Sequence, residues 1–523
     1  MTNAQTSTNG LTQLRELSRG VQKQAGFDEA IRALKDNALV TVDGAWGSAC
    51  ALLAATLLEE QPPLLVVLCP HPREIDRFVD DLSLFSDAET MVFPAWDSPV
   101  GEDELLDETY GDRLRTLKQL LQMQEQQAST GTVPPVVVTS IQSLLNPVPR
   151  REQVVGNSRT IRVGDTFDLD AWLDWFVAQG FHATSAVNLA GEFSSRGGII
   201  DLFAPDWESP VRIELFGDEV ESIRGFEVAS QRSLDPLQQV EITVPGKTAE
   251  YDEFFTAFLP AGTWVLNLAT DRAHELAGQY LERLGSESNT HDYQQLLQQL
   301  QQFGLAQCWS LAPGDLETVF RFQMESVERF SGDMDKVRSQ LDELGRDHEV
   351  FLVGATQADV DRLQQILEET RLASSNRIRY VLGNLSAGFR LVSENKLLVS
   401  VSELFQRKEV RRPKRRRQGR AIDSFLELRE GDLVVHLSHG IGRYRGLQVI
   451  TQDDQSEEHL TLEFHGGTNV YVPVNRIELV QKYVGGSKRR PQLARIGGQS
   501  WQRQKQAAER AVLDVASEML QLQ

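Results

Sequence analysis

The chain has 523 residues, too many for one hydrophobic core, so three to five domains are expected. Its composition, 41% hydrophobic and 24% charged, is globular, and no apolar run approaches the roughly 18 residues of a membrane-spanning helix. Net charge is −22 but uneven: residues 401–523 carry +6 and the first 400 carry −28, which excludes binding of nucleic acid through diffuse attraction to the body.

The N-terminus, MTNAQTSTNG, has neither a charged nor an apolar signal segment, and residues 1–25 are expected to be a flexible lead-in. Residues 26–150 alternate helical patterns with apolar runs, VTV at 40–42, LLVVLCP at 64–70 and PPVVVTS at 134–140. Such runs suit strands buried on both faces of a parallel sheet. Between the first strand and the next helix stands GAWGSACA, with Gly44 and Gly47 where a phosphate-binding turn wants them. A working loop ends in Gly-Lys-Thr/Ser, for backbone approach, for charge and for Mg²⁺. Those positions hold Ala49, Cys50 and Ala51, so the turn is expected to be structural, with no nucleotide bound.

Residues 155–235 change to alternating segments broken by turn residues, which read as antiparallel hairpins. In VRIELFGDE, Val211, Ile213 and Leu215 share the core face, while Arg212, Glu214 and Phe216 share the other. An aromatic flanked by charges on a solvated face is what an interface anchor looks like, and Arg196 in a neighbouring strand can join it. The bland reading is a Phe folded over a small cluster, with the charges paired across strands. Residues 240–335 read as helical and Gln-rich, with Tyr293, Leu296, Leu297, Leu300 and Phe303 as a core stripe. Residues 336–405 read as a small α/β unit of helix, strand, helix and two strands.

The run 407–420 has nine basic residues and one acid, and residues 406–424 are expected to be an extended linker or a nucleic-acid arm. Residues 425–485 hold five or so short strands that would close into a small barrel. His436 and His439 lack a third ligand nearby and read as part of a turn, and no metal site is expected anywhere in the chain. Arg443 and Arg445 give this barrel a partly basic edge. Residues 486–523 end in a helix with Trp501, Ala508, Val512, Val515 and Met519 on one face. The three cysteines, Cys50, Cys69 and Cys308, are too widely spaced to read as a disulfide framework or a zinc site, and a reducing cytoplasm fits them.

Four long segments carry a resemblance. GEFSSRGGIIDLFAPDWESPVRIELFGDEVESIRGFEVASQRSL is similar to a pattern shared by the bacterial transcription-repair coupling factors (Mfd) and the repair helicase UvrB. GDLVVHLSHGIGRYRGL, NVYVPVNRIELVQKYVGG and LARIGGQSWQRQKQAAERAVLDVASEMLQL resemble the coupling factors in the same order. The resemblance implies a multidomain α/β fold. Residues 26–150 and 236–335 would form a UvrB-like module with a degenerate P-loop, interrupted by a UvrA-binding hairpin domain at 151–235. A third small α/β domain at 336–405 would follow, its role left open. Residues 425–485 would be a Tudor-like, CarD-like barrel for RNA polymerase, and 486–523 a connector helix toward a translocase.

The UvrA surface would be Arg196, Arg212, Glu214 and Phe216. The contact with the polymerase β subunit would run along an edge strand, through Arg443, Gly446, Leu447, Val449 and Ile450. The resemblance places the ATP-driven translocase after residue 523, so ATP, Mg²⁺ and most contact with double-stranded DNA are expected there. No cofactor is expected in this chain, which would act as a monomeric adaptor. Two other readings stand beside it, a UvrB-type DNA helicase subunit and a CarD-like transcription regulator.

Overall fold

The computed structural model describes residues 10–95, 108–125, most of 133–405, and the strands between residues 433 and 482. The chain divides into two compact units, Met1–Lys414 and Arg415–Gln523. The basic run 407–420, His439 and the expected C-terminal helix lie outside the described residues.

The first unit is built on a parallel sheet of seven strands. Their spatial order is Val319–Arg321, Leu39–Asp43, Gly304–Trp309, Trp264–Asn267, Leu65–Cys69, Val136–Ser140 and Thr90–Phe93. LVVLC and VVVTS are buried at every position, because helices cover both faces of such a sheet. Three of its strands come from residues 240–335, which the sequence pattern reads as helical. The helices Thr270–Leu284 and Tyr293–Leu300 are there, and Tyr293, Leu296 and Leu300 are buried as expected. The strands that flank them, WVLN before the first and GLAQCW after the second, are short apolar runs that periodicity cannot distinguish from buried helix.

The chain leaves this sheet after Ser140 and returns at Trp264. In the interval lies a six-stranded sheet ordered Ser233–Leu237, Glu219–Phe226, Val211–Phe216, Ile199–Leu202, Glu192–Arg196 and His182–Ala183. Its pairings are antiparallel except the last. The interval also holds a helix that the hairpin reading omits, Leu169–Gln179. It is started by the Asp168 carboxylate, which accepts from the Ala171 amide, and stopped by Gly180 at φ +100°.

A separate five-stranded sheet follows the order Met324–Ser326, Phe389–Leu391, Lys396–Ser400, Glu349–Gly354, Ile378–Leu382. Alternation along Glu349–Gly354 sends Val350 and Leu352 into a core formed by this sheet's own helices. Phe351 and Val353 go into the core of the large sheet. Phe85 and Phe389 meet across that shared core at 6.3 Å between ring centroids. The small α/β unit is thus packed onto the larger module through one face.

Residues 10–22 are not a flexible lead-in. They are helical, and Leu14, Leu17 and Val21 enter the same shared core. A Cβ on Gly10 would stand 2.6 Å from the Tyr380 carbonyl oxygen, so glycine permits the close approach.

The second unit is an antiparallel sheet ordered Asn469–Pro473, Gln455–Glu463, Gly440–Gln452, Leu433–His436, Val480–Lys482. Leu460, Leu462 and Phe464 alternate into its core with Val434, Tyr444, Val472 and Val480. Among the described residues its two outer strands are not paired with each other, so it is seen as a sheet, not as the closed barrel expected from the sequence.

Candidate interaction surfaces

In the hairpin sheet two tight turns lie side by side. Gly197–Gly198 joins Glu192–Arg196 to Ile199–Leu202, and Gly217–Asp218 joins Val211–Phe216 to Glu219–Phe226. Gly197 and Gly217 have φ of +61° and +64°, the first central position of a hairpin turn in which glycine is favoured. The tips are held together: the Leu215 amide donates to the Gly198 carbonyl at 2.7 Å. A Cβ on Gly198 would lie 2.9 Å from the Leu215 carbonyl oxygen.

Val211 and Ile213 are buried and Leu215 packs against the core, while Arg212, Glu214 and Phe216 face outward, as the alternation predicts. Phe216 is 80% exposed and folds over no cluster. The charges beside it are already paired. Arg212 grips Asp201 with two hydrogen bonds, 2.7 Å and 2.8 Å, and lies over the Phe226 ring at 4.9 Å. The bonds to Asp201 hold its guanidinium above the usual range for arginine. Glu214 accepts from Arg224 and from the Ser222 hydroxyl, both at 2.6 Å.

Arg196 is in the next strand but one, not in a neighbouring strand, and donates to the Ser185 carbonyl. Register nevertheless puts Arg196, Ile199 and Glu214 in one cross-strand row. The sequence reading missed Asp201, Arg224 and Ile199. The alternation of GGIIDLF marks Ile199 and Asp201 as outward, but register decides whom they meet.

The degenerate loop is a different kind of site. Gly44 and Gly47 keep positive φ, +86° and +55°. A Cβ on Gly44 would come within 2.8 Å of the Phe322 carbonyl oxygen, so packing alone requires this glycine. The helix that follows, Ala49–Glu59, is buried at every residue through Leu58; Ala49 and Ala51 have no exposed surface. A lysine at Cys50 would bury its charge there.

The mouth of the loop is filled by the chain itself. The buried Asp81 carboxylate accepts from the Ser48 hydroxyl at 2.9 Å. It also accepts from the Ser386 amide and hydroxyl, both at 2.7 Å. The Ala387 amide donates to the Ser48 oxygen at 2.9 Å. Residues 386–387 and a buried carboxylate stand beside the turn that would cradle phosphate, an arrangement that does not fit ATP with Mg²⁺.

A cleft of about 300 Å³ remains beside it, lined by Trp46, Cys50, Cys69, Glu74 and Arg77. The three cysteines are remote in sequence, yet Cys50 lies beside both others and hydrogen-bonds Cys308. That bond raises the Cys308 pKa and burial raises that of Cys69, which keeps both as thiols. Among the described residues no group of three or more His, Cys, Asp or Glu is placed to hold a metal.

In the second unit the strand expected at an edge, Gly440–Gln452, is central in sheet order. Its two halves differ, however. Residues 440–443 pair with Leu433–His436, whereas 447–452 pair only with Gln455–Glu463. The change falls at an irregularity between Tyr444 and Leu447, where Gly446 has φ +106°. Past that point one strand edge is open among the described residues. Leu447 is 46% exposed, Val449 and Ile450 lie opposite Glu458 and Glu457, and Arg445 donates to Glu463 at 2.6 Å.

Two family models match the chain: the UvrB interaction domain over residues 160–247 and the CarD-like/TRCF RID domain over 428–484. The transcription-repair-coupling factor of Staphylococcus aureus (strain Mu50 / ATCC 700699) is 26% identical over 93% of this chain and 48% of that relative. That of Staphylococcus haemolyticus (strain JCSC1435) is 28% identical over 69% of this chain and 39% of that relative. The chain thus spans about half the length of these relatives or less. A solved XPD helicase aligns with 8% identity and a TM-score of 0.19, too low to bear on the fold.

Proposed function

We propose, from the homology of this chain to transcription-repair-coupling factors over 93% of its length, that it works as an adaptor in transcription-coupled repair. It grips RNA polymerase stalled at a lesion and recruits UvrA, the entry factor of nucleotide excision repair. The observation that carries this reading is Phe216, 80% exposed within the residues matched by the UvrB interaction domain and flanked by the paired Arg212 and Glu214. Arg196, Arg212 and Glu214 form the polar rim. The open strand edge beyond Gly446, within the match to the CarD-like/TRCF RID domain, supports strand addition by the polymerase β subunit.

In this reading the chain acts as a monomer in the cytoplasm. It neither binds nor hydrolyses ATP, because the loop at Gly44 lacks the lysine and the hydroxyl and its mouth is filled by Ser386 and Ala387. ATP-driven movement on DNA belongs to the family's translocase. A DNA-stimulated ATPase activity of this chain would favour the UvrB-type helicase instead.

Separate pull-downs with purified UvrA and RNA polymerase test the division of labour. Phe216→Ala and Arg212→Ala are expected to weaken UvrA binding at least roughly tenfold and leave polymerase binding intact. Leu447→Glu is expected to do the reverse. Equal UvrA binding by wild type and both hairpin variants would refute the assignment.

A further inference from the structure

The hairpin tips expose a second large apolar side chain. Ile199 is 41% exposed although the next residue, Ile200, has no exposed surface. It opens its strand directly after the Gly197–Gly198 turn, opposite Glu214. Phe216 is two residues further along the partner strand on the same outward face, the diagonal position that an aromatic side chain reaches across. The Leu215–Gly198 hydrogen bond and the close contact at Gly198 lock the two tips, so the spacing of the two side chains is set before any partner arrives.

Three of the polar groups around them are engaged within the sheet, Arg212 with Asp201, Glu214 with Arg224 and Arg196 with the Ser185 carbonyl, while the exposed Glu219 lies directly opposite Phe216. Charges held in this way need not be reoriented on binding. Phe216 and Ile199 make a small apolar centre inside a polar rim, which is how binding energy concentrates at protein interfaces.

We infer that Ile199 is a second apolar anchor of this surface, forming with Phe216 a rigid two-point contact for an apolar pocket on UvrA. The inference rests on the reading of the hairpin sheet as the UvrA face, and the experiment separates the two. Binding of the full chain to purified UvrA is measured by interferometry for wild type, Phe216→Ala, Ile199→Val and Ile199→Thr, with thermal melts of each. Valine and threonine have nearly the same shape and both suit strands, so they differ at this site in one methyl against one hydroxyl.

Ile199→Thr is expected to weaken binding roughly five- to tenfold while Ile199→Val stays within about twofold, with unchanged melting. If Phe216→Ala loses affinity but both Ile199 variants bind like wild type, the anchor is wrong and the UvrA reading stands. Equal loss in Ile199→Val and Ile199→Thr assigns the effect to strand packing and also overturns the anchor. If Phe216→Ala binds like wild type, the UvrA reading fails and the anchor with it.

Discussion

Arg113 illustrates how a single residue ties distant segments. It is buried and faces backbone oxygens: the carbonyls of Pro94, Ser143, Asn146 and Pro147, at 2.8–3.4 Å, with the Phe93 ring 4.1 Å away. Burial pushes its pKa down to about 9, so it is still charged at neutral pH and depends on those acceptors. Arg113→Met keeps the stem but strands the carbonyls. The expected loss is about 2–4 kcal/mol in a denaturant melt, and a loss under about 0.5 kcal/mol would show that water replaces the guanidinium.

Phe216 was legible at this scale because strand alternation fixes its face from six residues of sequence. Its charged neighbours were legible as residues but not as pairs. Arg212–Asp201 and Glu214–Arg224 depend on the register of three strands, and register is set by turns and core packing together.

At the scale of elements, the loop at 384–388 gives the small α/β unit a role that sequence resemblance leaves open. It occupies the mouth of the degenerate nucleotide turn through Asp81, Ser48, Ser386 and Ala387. Asp81→Ala removes the acceptor for three of those bonds. Hydrogen exchange at the Ser386 and Ala387 amides is expected to quicken roughly ten- to hundredfold, with the Leu65–Cys69 amides unchanged. Unaltered exchange at 386–387 would mean that shape packing alone seats the loop.

Elements with strong local signals were readable: the buried strands Leu65–Cys69 and Val136–Ser140, the turn at Gly44, the alternation from Val211 to Phe216. Those that failed had competing signals. Trp264–Asn267 is four residues long between helical patterns. Residues 10–22 follow a polar leader, yet Leu14, Leu17 and Val21 fall at helical spacing and are buried. Leu169–Gln179 carries its own caps, Asp168 and Gly180, inside a region dominated by hairpins.

For the whole molecule, the charge distribution and the two surfaces point the same way. A body carrying −28 over its first 400 residues repels DNA, so any contact with nucleic acid falls outside that body. The hairpin surface lies in the first compact unit and the open strand edge in the second, so the adaptor proposal gives each partner a unit of its own. The buried apolar runs of residues 26–150 made a parallel α/β sheet legible, and the multidomain α/β class as a whole came with the resemblance. The strand order of the large sheet was not legible, because it pairs Leu39–Asp43 with strands more than 250 residues away.

The adaptor claim is tested most directly by mass photometry of the full chain mixed with RNA polymerase and UvrA together. A ternary complex is expected with wild type, and only the binary polymerase complex with Phe216→Ala. Absence of a ternary complex with wild type, or an equal amount with Phe216→Ala, would contradict it.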